Sequence, residues 1–216
     1  MKVYECEQRS EEWERLRNGR PTASNFNRIV TPVKGELSKS CTGYACELVA
    51  QRLGVWSPPP PSFWMEWGTE HEEAAVTAYE AMTGHVTEKV GFVTPDETDA
   101  FGGSPDRLLP FLDGLLEIKC PKPETLIEYH VDGKLPSEYK PQVQGLLAIT
   151  GLSRCDFFAW HPELTPFLVT VKRDEAYIDR LLEGLAEFLL LLDRIGGKVQ
   201  RHDPIALLFG EGESDG

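Results

Sequence analysis

The sequence predicts an α/β (α+β) domain in which helices flank a mixed central sheet. Segments with helical periodicity alternate with short segments of β-branched and polar residues. Hydrophobic residues make up 41% of the 216 residues, which is enough for one folded core. The longest apolar run, residues 188–192, is far shorter than the roughly 18 to 20 residues that cross a bilayer. We therefore expect no membrane span and, because the first residues lack an apolar signal core, a cytoplasmic protein.

Residues 1–56 are predicted to form a helical N-terminal segment. Ser10 is a suitable N-cap and Gly19 a suitable stop for a helix over residues 11–18, and a second helix is expected after Ser24. Four consecutive prolines then occupy residues 58–61. Proline fixes φ and lacks an amide donor, so residues 57–62 are predicted to be an extended surface loop.

Residues 63–195 are predicted to hold the sheet and its covering helices, and residues 196–216 a tail that frays from Gly210 to Gly216. The expected elements are a helix over Thr69–Met82 ended by Gly84, strands over His85–Thr94, Phe101–Leu109 and Leu115–Cys120, a helix over Glu138–Thr150, strands over Cys155–Trp160 and Phe167–Val171, and a helix from the cap Asp174 to Ile195. Residues 110–114 carry turn residues, so the strands around them should form a hairpin. The whole chain is thus interpreted as a single domain.

The charge distribution is uneven. The formal net charge is −13, which ordinarily disfavours a nucleic acid partner. Residues 1–34 hold seven basic and five acidic side chains, whereas residues 66–99 hold nine acidic side chains and one basic one. Such an acidic region is a solvated face or the donor set of a divalent metal. The five cysteines and five histidines lack the spacing of a zinc site.

Two carboxylates and an ammonium group are predicted to converge on the hairpin. Side chains alternate along a strand, so Glu117 and Lys119 share one face, which we expect to be solvent-lined, while Ile118 points to the core. Asp106 would then lie on the neighbouring strand near Glu117. Taken alone, Glu117 and Lys119 also fit an ordinary surface ion pair. Together with Asp106 they fit a site for a hard cation such as Mg²⁺ in phosphoryl chemistry.

Four sequence blocks carry a more specific resemblance. They are Arg17-x-Gly19-Arg20-x-Thr22-Ala23-Ser24, Gly103-Ser104-Pro105-Asp106, Leu116-Glu117-Ile118-Lys119-Cys120-Pro121 and Gln142-Val143-Gln144. Pro-Asp followed by Glu-x-Lys resembles the PD-(D/E)xK nuclease core, and the four blocks in this order resemble the lambda exonuclease and YqaJ-type viral recombinase family. The resemblance implies a restriction-endonuclease-like core.

The same resemblance implies a Mg²⁺-dependent 5′-to-3′ exonuclease that acts on double-stranded DNA ends and leaves 3′ tails for phage-type recombination, with Mn²⁺ as a substitute. Asp106 and Glu117 would hold the metal, with the carbonyl of Ile118 as a further ligand. Lys119 would orient or deprotonate the attacking water and offset charge on the phosphate. Gln142 and Gln144 are two apart on a helix and cannot share a face, and the family favours Gln142.

Glu72 has two interpretations. With Thr69 it fits a capping box, in which both side chains bind backbone amides at a helix start. By its position after Trp67 it matches a further acidic residue of the family's metal site. A shift of one position would give Glu73 this role instead.

The resemblance also implies a DNA-end site. Arg17, Ser24 and Ser104 would bind the 5′-terminal phosphate, and Met65 would separate the strands as a wedge. The alternatives are that Ser24 only caps a helix and that Met65 only fills the core.

A ring-shaped homotrimer and a single-strand annealing protein as partner are implied as well, in a bacterial host of phage or prophage. Competing interpretations are another PD-(D/E)xK endonuclease, a non-catalytic DNA-binding scaffold and, more remotely, a glycosidase that uses Asp106 and Glu117 as its carboxylate pair.

Overall fold

The computed structural model describes residues 1–201. In that range the strands are β1 (Lys2–Tyr4), β2 (Phe92–Thr94), β3 (Arg107–Leu109), β4 (Gly114–Lys119), β5 (Arg154–Ala159) and β6 (Phe167–Lys172). The helices are α1 (Glu11–Arg17), α2 (Cys41–Arg52), α3 (Phe63–Thr83), α4 (Pro123–Asp132), α5 (Lys140–Thr150) and α6 (Glu175–Gly196), with 3-10 turns at Ala23–Arg28 and Ser137–Tyr139. The mixed α/β class is confirmed.

The main sheet has the strand order β3-β4-β5-β6. β3 and β4 form an antiparallel hairpin, β4 and β5 run parallel, and β5 and β6 are antiparallel. A parallel pair needs a long crossover, which α4 and α5 supply between β4 and β5. The sheet is therefore mixed, as the sequence predicts. β1 and β2 form a separate two-stranded sheet.

The sheet is covered on both faces. Leu115 and Phe157 belong to the larger core, which α2, α5 and α6 also build, whereas Leu116, Ile118 and Phe158 pack with α3 in a second core. This alternation along β4 is the period-two pattern of a strand between two apolar layers. It turns Leu115, Glu117 and Lys119 toward the α5 side of the sheet.

Most predicted elements agree with the structure. α1 begins at the expected cap, where the Ser10 hydroxyl accepts a hydrogen bond from the Trp13 amide at 3.3 Å. The hairpin turns at residues 110–114, where Asp113 takes a positive φ of 48°. α5 and α6 end near Gly151 and Gly196. Residues 57–62 are exposed and have no regular secondary structure, as the prolines require.

The start of α3 differs from the prediction. The helix begins at Phe63 because the Ser62 hydroxyl accepts from the Met65 amide at 3.4 Å. Thr69 consequently lies inside the helix, where its hydroxyl donates to the Met65 carbonyl at 3.1 Å. The capping-box interpretation of Thr69 and Glu72 is wrong.

Other differences concern short or weakly marked elements. The expected helix after Ser24 is only a 3-10 turn, and α2, α4 and β1 were not predicted. The strand predicted over His85–Thr94 is reduced to β2, and that over Phe101–Leu109 is reduced to β3 plus an isolated bridge between Gly103 and Val93. The predicted fraying of Gly210–Gly216 lies outside the described residues. Among residues 1–201 no helix is long and apolar enough to span a bilayer.

Candidate active site

The hairpin of β3 and β4 brings Asp106 and Glu117 together. Arg107 pairs with Leu116, so Asp106, one residue before β3, lies opposite Glu117. The Asp106 Oδ2 atom accepts a hydrogen bond from the Ile118 amide at 2.6 Å, which fixes this carboxylate against the edge of β4.

Glu117 is held from two sides. Lys119 Nζ contacts Glu117 Oε1, and Gln142 Nε2 on α5 donates to the same oxygen at 2.5 Å. The second oxygen, Glu117 Oε2, is buried and has no hydrogen-bond partner. Glu117 is only 1% exposed, so the expected solvent-lined face is wrong at this residue: α5 covers it.

Gln142 and Gln144 point in different directions, as their spacing requires. Gln144 is buried, donates to the Lys172 carbonyl at 2.9 Å and accepts from the Asp174 amide at 2.9 Å. It connects α5 to β6 and the start of α6. Gln142 is the glutamine that reaches the carboxylates.

Glu72 on α3 completes the acidic group. Its side chain is 17% exposed and lines a hollow with Asp106 and Lys119. Arg9 Nη2 lies 2.5 Å from Glu72 Oε2. Glu73 is 66% exposed and pairs with Arg107 and Lys89, at 2.7 and 2.8 Å, and Arg107 Nη1 also lies 3.9 Å from Glu72 Oε1. Glu72, not Glu73, therefore lies beside Asp106.

Burial and mutual repulsion shape the electrostatics. Burial raises the pKa of Asp106 well above its ordinary value, and the neighbouring Glu117 carboxylate raises it further. Burial acts to lower the pKa of Lys119, but the carboxylates of Glu117 and Asp106 outweigh it and raise that pKa. Lys119 therefore stays protonated, while Asp106 resists ionisation.

The residues present fit a hard divalent cation. The donors are carboxylate oxygens, and the unpartnered buried oxygen of Glu117 is an atom that a cation would satisfy. Within residues 1–201 no three His, Cys, Asp or Glu side chains are grouped closely enough to hold an ion as they stand. In the same residues Glu72 and Glu117 are engaged in ion pairs with Arg9 and Lys119.

A group of hydroxyl and guanidinium side chains adjoins the carboxylates. Arg17 Nη2 lies 3.3 Å from the Ser24 hydroxyl, and Trp13 Nε1 donates to the Ser104 hydroxyl at 2.8 Å. Arg17 also stacks over the Trp13 ring at 4.2 Å. Burial lowers the pKa of Arg17. Two hydroxyls and a partly desolvated guanidinium make a site for an anion.

The hairpin carboxylates and the anion site line one hollow of about 210 Å³, which we call the central hollow. Its walls include Arg9, Arg17, Ser24, Ser104, Asp106, Glu117, Lys119 and Gln142. The structure thus brings together all the predicted polar site residues except Glu72, which lines the adjoining hollow.

The purely structural interpretations of Ser24 as a helix cap and of Met65 as a core residue are wrong. Thr22, not Ser24, occupies the cap position of the 3-10 turn, and it makes no side-chain capping bond. Met65 is 65% exposed and is no core residue. It lies on the first turn of α3, between a large hollow beside Arg17 and the hollow beside Glu72.

Sequence reasoning missed several contributors. Trp13 positions Ser104, Arg9 pairs with Glu72, and the Tyr139 ring lies 5.3 Å from Lys119 Nζ. Gln8 donates to the carbonyls of Val90 and Pro105. Only Trp13, four residues before Arg17 and hence on the same helical face, carried a signal that could have revealed it.

Known proteins resemble this chain in sequence and in fold. The model of the YqaJ-like viral recombinase domain matches residues 12–153. An alkaline exonuclease from Laribacter hongkongensis is 33% identical, with 88% of this chain and 95% of that chain covered and a TM-score of 0.79. The same values hold for that enzyme in complex with dAMP.

A phage related exonuclease from Haemophilus somnus 129PT shares the fold, with a TM-score of 0.67 over 86% of this chain and 98% of that chain, at 16% identity. No curated protein sequence gives a significant match. The matched region contains every site residue described above except Gln8 and Arg9, and the fold is that of the PD-(D/E)xK-like phage exonucleases. The chain belongs to the family of YqaJ-like viral recombinase domains.

Proposed function

We propose that the protein is a Mg²⁺-dependent 5′-to-3′ exonuclease that degrades double-stranded DNA from its ends and leaves 3′ single-stranded tails for phage-type recombination. The family and the similarity to an alkaline exonuclease support a nuclease of the recombination type. The observation that carries the finer proposal is the central hollow, where Asp106, Glu117 and Lys119 face the anion site of Arg17, Ser24 and Ser104.

Asp106, Glu117 and Glu72, with the Ile118 carbonyl, would hold the cation, and Mn²⁺ would substitute for Mg²⁺. Bound there, a divalent cation supplies Lewis acidity and makes water more acidic. The chain contributes preorganised donors: the Ile118 amide and the Gln142 side chain fix one oxygen of each hairpin carboxylate. The second oxygen of each carboxylate is therefore already held in position for a cation, because the side chain is fixed in one rotamer.

Lys119 acts on the phosphate group that is cleaved. Its raised pKa keeps it an ammonium group at neutral and alkaline pH. In a largely buried hollow this fixed charge stabilises the negative charge that develops on the phosphoryl oxygens and orients the attacking water. Lys119 and Gln142 act as catalytic and positioning groups respectively.

The anion site accounts for the proposed 5′-to-3′ direction of degradation. An exonuclease that grips the 5′-terminal phosphate with Arg17, Ser24 and Ser104 places the first phosphodiester bond near Asp106, only two residues from Ser104. The alkaline exonuclease of Laribacter hongkongensis is known in complex with dAMP, a mononucleotide. Met65, exposed at the start of α3, would act as the wedge between strands.

The direct test uses linear duplex DNA labelled at the 5′ or the 3′ end, in Mg²⁺. Release of the 5′ label first supports the proposal, and release of the 3′ label first contradicts it. Cleavage of covalently closed circular DNA would favour a PD-(D/E)xK endonuclease instead. Degradation that persists in Asp106→Ala would place the activity elsewhere and leave the chain as a DNA-binding scaffold.

A second test addresses the anion site. Duplexes with a 5′-phosphate should be degraded faster than duplexes with a 5′-hydroxyl, and Arg17→Ala should abolish most of the difference. Arg15→Ala is the matched control, because Arg15 is an exposed arginine on the same helix outside the central hollow. A wild type without preference, or an Arg17→Ala variant that retains it, contradicts a 5′-phosphate site.

The family resemblance also leads us to propose a homotrimer, located in the cytoplasm of a bacterial host and working with a single-strand annealing protein. Sedimentation at micromolar concentration should then give about three times the chain mass of 24.3 kDa. A monomer would contradict the ring.

A further inference from the structure

Arg9 has a backbone conformation that its residue type disfavours. Its φ is +71°, and apart from Asp113 in the hairpin turn it is the only non-glycine residue at positive φ in residues 1–201. Arginine in this left-handed region costs about 1 kcal/mol or more, a cost that glycine avoids. A strained arginine in place of glycine indicates that the side chain is used.

The neighbouring residues hold the strained conformation. Gln8 Nε2 donates to the carbonyls of Val90 and Pro105, both at 2.9 Å, and the Ser10 hydroxyl caps α1. Pro105 directly precedes Asp106. The segment is thus fastened to the loop of the metal-site hairpin, and Arg9 is aimed at the acidic group.

The guanidinium of Arg9 pairs with Glu72 and borders both hollows. Arg9 Nη2 lies 2.5 Å from Glu72 Oε2, and the Arg9 side chain is 51% exposed. Arg9 lines the central hollow and also the hollow that holds Glu72 and Asp106. It is therefore close enough to compete for Glu72 and exposed enough to leave it.

We propose that Arg9 is a displaceable counter-ion: it occupies Glu72 when no divalent cation is bound, and once a cation takes Glu72 it contacts a DNA backbone phosphate entering the hollow. This inference rests on the proposed nuclease function and extends it. Of the other cations on the site carboxylates, Lys119 is 24% exposed, and Arg107, whose Nη1 lies 3.9 Å from Glu72 Oε1, is 6% exposed. Arg9 is therefore the one free to move.

The proposal predicts opposite effects on metal and DNA. Removing Arg9 takes away the nearest cation that competes for Glu72 and leaves only Arg107, at 3.9 Å, so the metal should bind about two- to fivefold tighter, the range expected of a partly exposed ion pair. DNA affinity should fall, and the slope of log affinity against log salt should decrease by about one, because one phosphate contact is lost.

The experiment compares Arg9→Gly with Arg9→Met in the full-length protein. Both remove the charge, but only Arg9→Gly relieves the backbone strain, which is present with and without metal and so does not alter the metal affinity. Mn²⁺ binding is measured by calorimetry without DNA. Binding of a 5′-phosphorylated duplex is measured in Ca²⁺ over a salt series. Lys89→Met is the control, since Lys89 pairs with Glu73 rather than Glu72.

Tighter Mn²⁺ binding and a shallower salt slope in both Arg9 variants, with neither change in Lys89→Met, support the proposal. Unchanged or weaker Mn²⁺ binding in Arg9→Met while DNA cleavage persists contradicts the role of Arg9 alone. Wild-type protein that binds no Mn²⁺, or an Asp106→Asn variant that binds it unchanged, contradicts the proposed metal site together with the role of Arg9.

Discussion

At the scale of single residues, Glu117 shows how the site is prepared before any ligand arrives. Its Oε1 atom is shared by Lys119 and Gln142, and its Oε2 atom is buried without a partner. An unsatisfied buried carboxylate oxygen costs free energy unless a ligand supplies the missing contact. The metal-free protein is therefore less stable at this position, and a bound cation would restore that stability.

Lys119→Ala should abolish cleavage, with a loss of at least roughly 10²-fold in rate, because one preorganised charge is removed from the site. It should also destabilise the metal-free protein by about 2 kcal/mol, since Glu117 would remain buried without its cation. Thermal unfolding in EDTA and in Mg²⁺ tests this, with Mg²⁺ restoring part of the loss. Wild-type turnover by Lys119→Ala would remove this lysine from the mechanism.

Asp106→Asn should stabilise the metal-free protein increasingly as pH rises. The pKa of Asp106 is raised by burial and by Glu117. A raised folded-state pKa means that wild-type stability is complete below the unfolded value, about 3.9, and is lost as pH rises through the folded value. The amide of Asn at position 106 does not ionise, so the variant does not lose stability in this way as pH rises.

Melting temperatures of both proteins in EDTA across acidic to alkaline buffers check this prediction. The gain of Asp106→Asn should grow with pH and then level off, while the variant remains inactive. A difference that does not change with pH would show that Asp106 is not held in an environment that opposes its charge.

The sequence predicted which side chains meet at the site better than how deeply they are buried. Strand alternation and a hairpin turn were enough to bring Asp106 and Glu117 together, because local pairing determines the register. The burial of Glu117 was not predictable from β4, since α5, 23 residues later, covers it. Arg9 left no signal, because its pairing with Glu72 joins residues 63 apart in the chain.

At the scale of elements, two helices with side-chain caps were predicted from their first turn, and two helices without such caps were missed. α1 and α6 begin where a Ser10 or Asp174 side chain accepts from a backbone amide. α2 and α4 have no side-chain capping bond. α4 still had a readable signature, Pro123 in its first turn and Gly133 at positive φ after its end.

Gly145→Ala should disturb the packing that brings Gln142 to Glu117. A Cβ atom at Gly145 in α5 would meet the Phe26 ring at 2.4 Å, and Phe26 belongs to the 3-10 turn that carries Ser24. Overpacking of this kind costs about 1–3 kcal/mol. We expect a lower melting temperature and, because the two walls of the central hollow separate, slower cleavage.

Gly43→Ala is the matched control for Gly145→Ala. Gly43 lies in α2, where an added Cβ meets nothing within 4 Å. Alanine favours a helix over glycine by up to about 1 kcal/mol, so this variant should be equally or more stable and fully active. Equal effects of the two substitutions would mean that the contact with Phe26 does not position the site.

At the scale of the whole molecule, the net charge of −13 opposes the approach of DNA. The basic side chains nearest the site, Arg9, Arg17 and Lys119, surround three carboxylates in the adjoining hollows. Cations bound at these carboxylates would lower the negative charge of the molecule that opposes DNA, so DNA binding should depend on metal. This dependence on metal arises from the net charge of the molecule and not from any single contact.

DNA binding should therefore be weak in EDTA and about tenfold tighter in Ca²⁺ at equal ionic strength, a difference of about 1.4 kcal/mol. Ca²⁺ is larger and looser in geometry than Mg²⁺, so it should neutralise the carboxylates without supporting rapid cleavage. Fluorescence anisotropy of a 5′-phosphorylated duplex measures both conditions. The double variant Asp106→Asn/Glu117→Gln removes two of the three carboxylates without metal, so in EDTA it should approach the affinity of the wild type in Ca²⁺. Equal wild-type affinity in EDTA and Ca²⁺ would show that the carboxylates do not control access of DNA, and the anion site of Arg17 would then have to bind the DNA end without help from a cation.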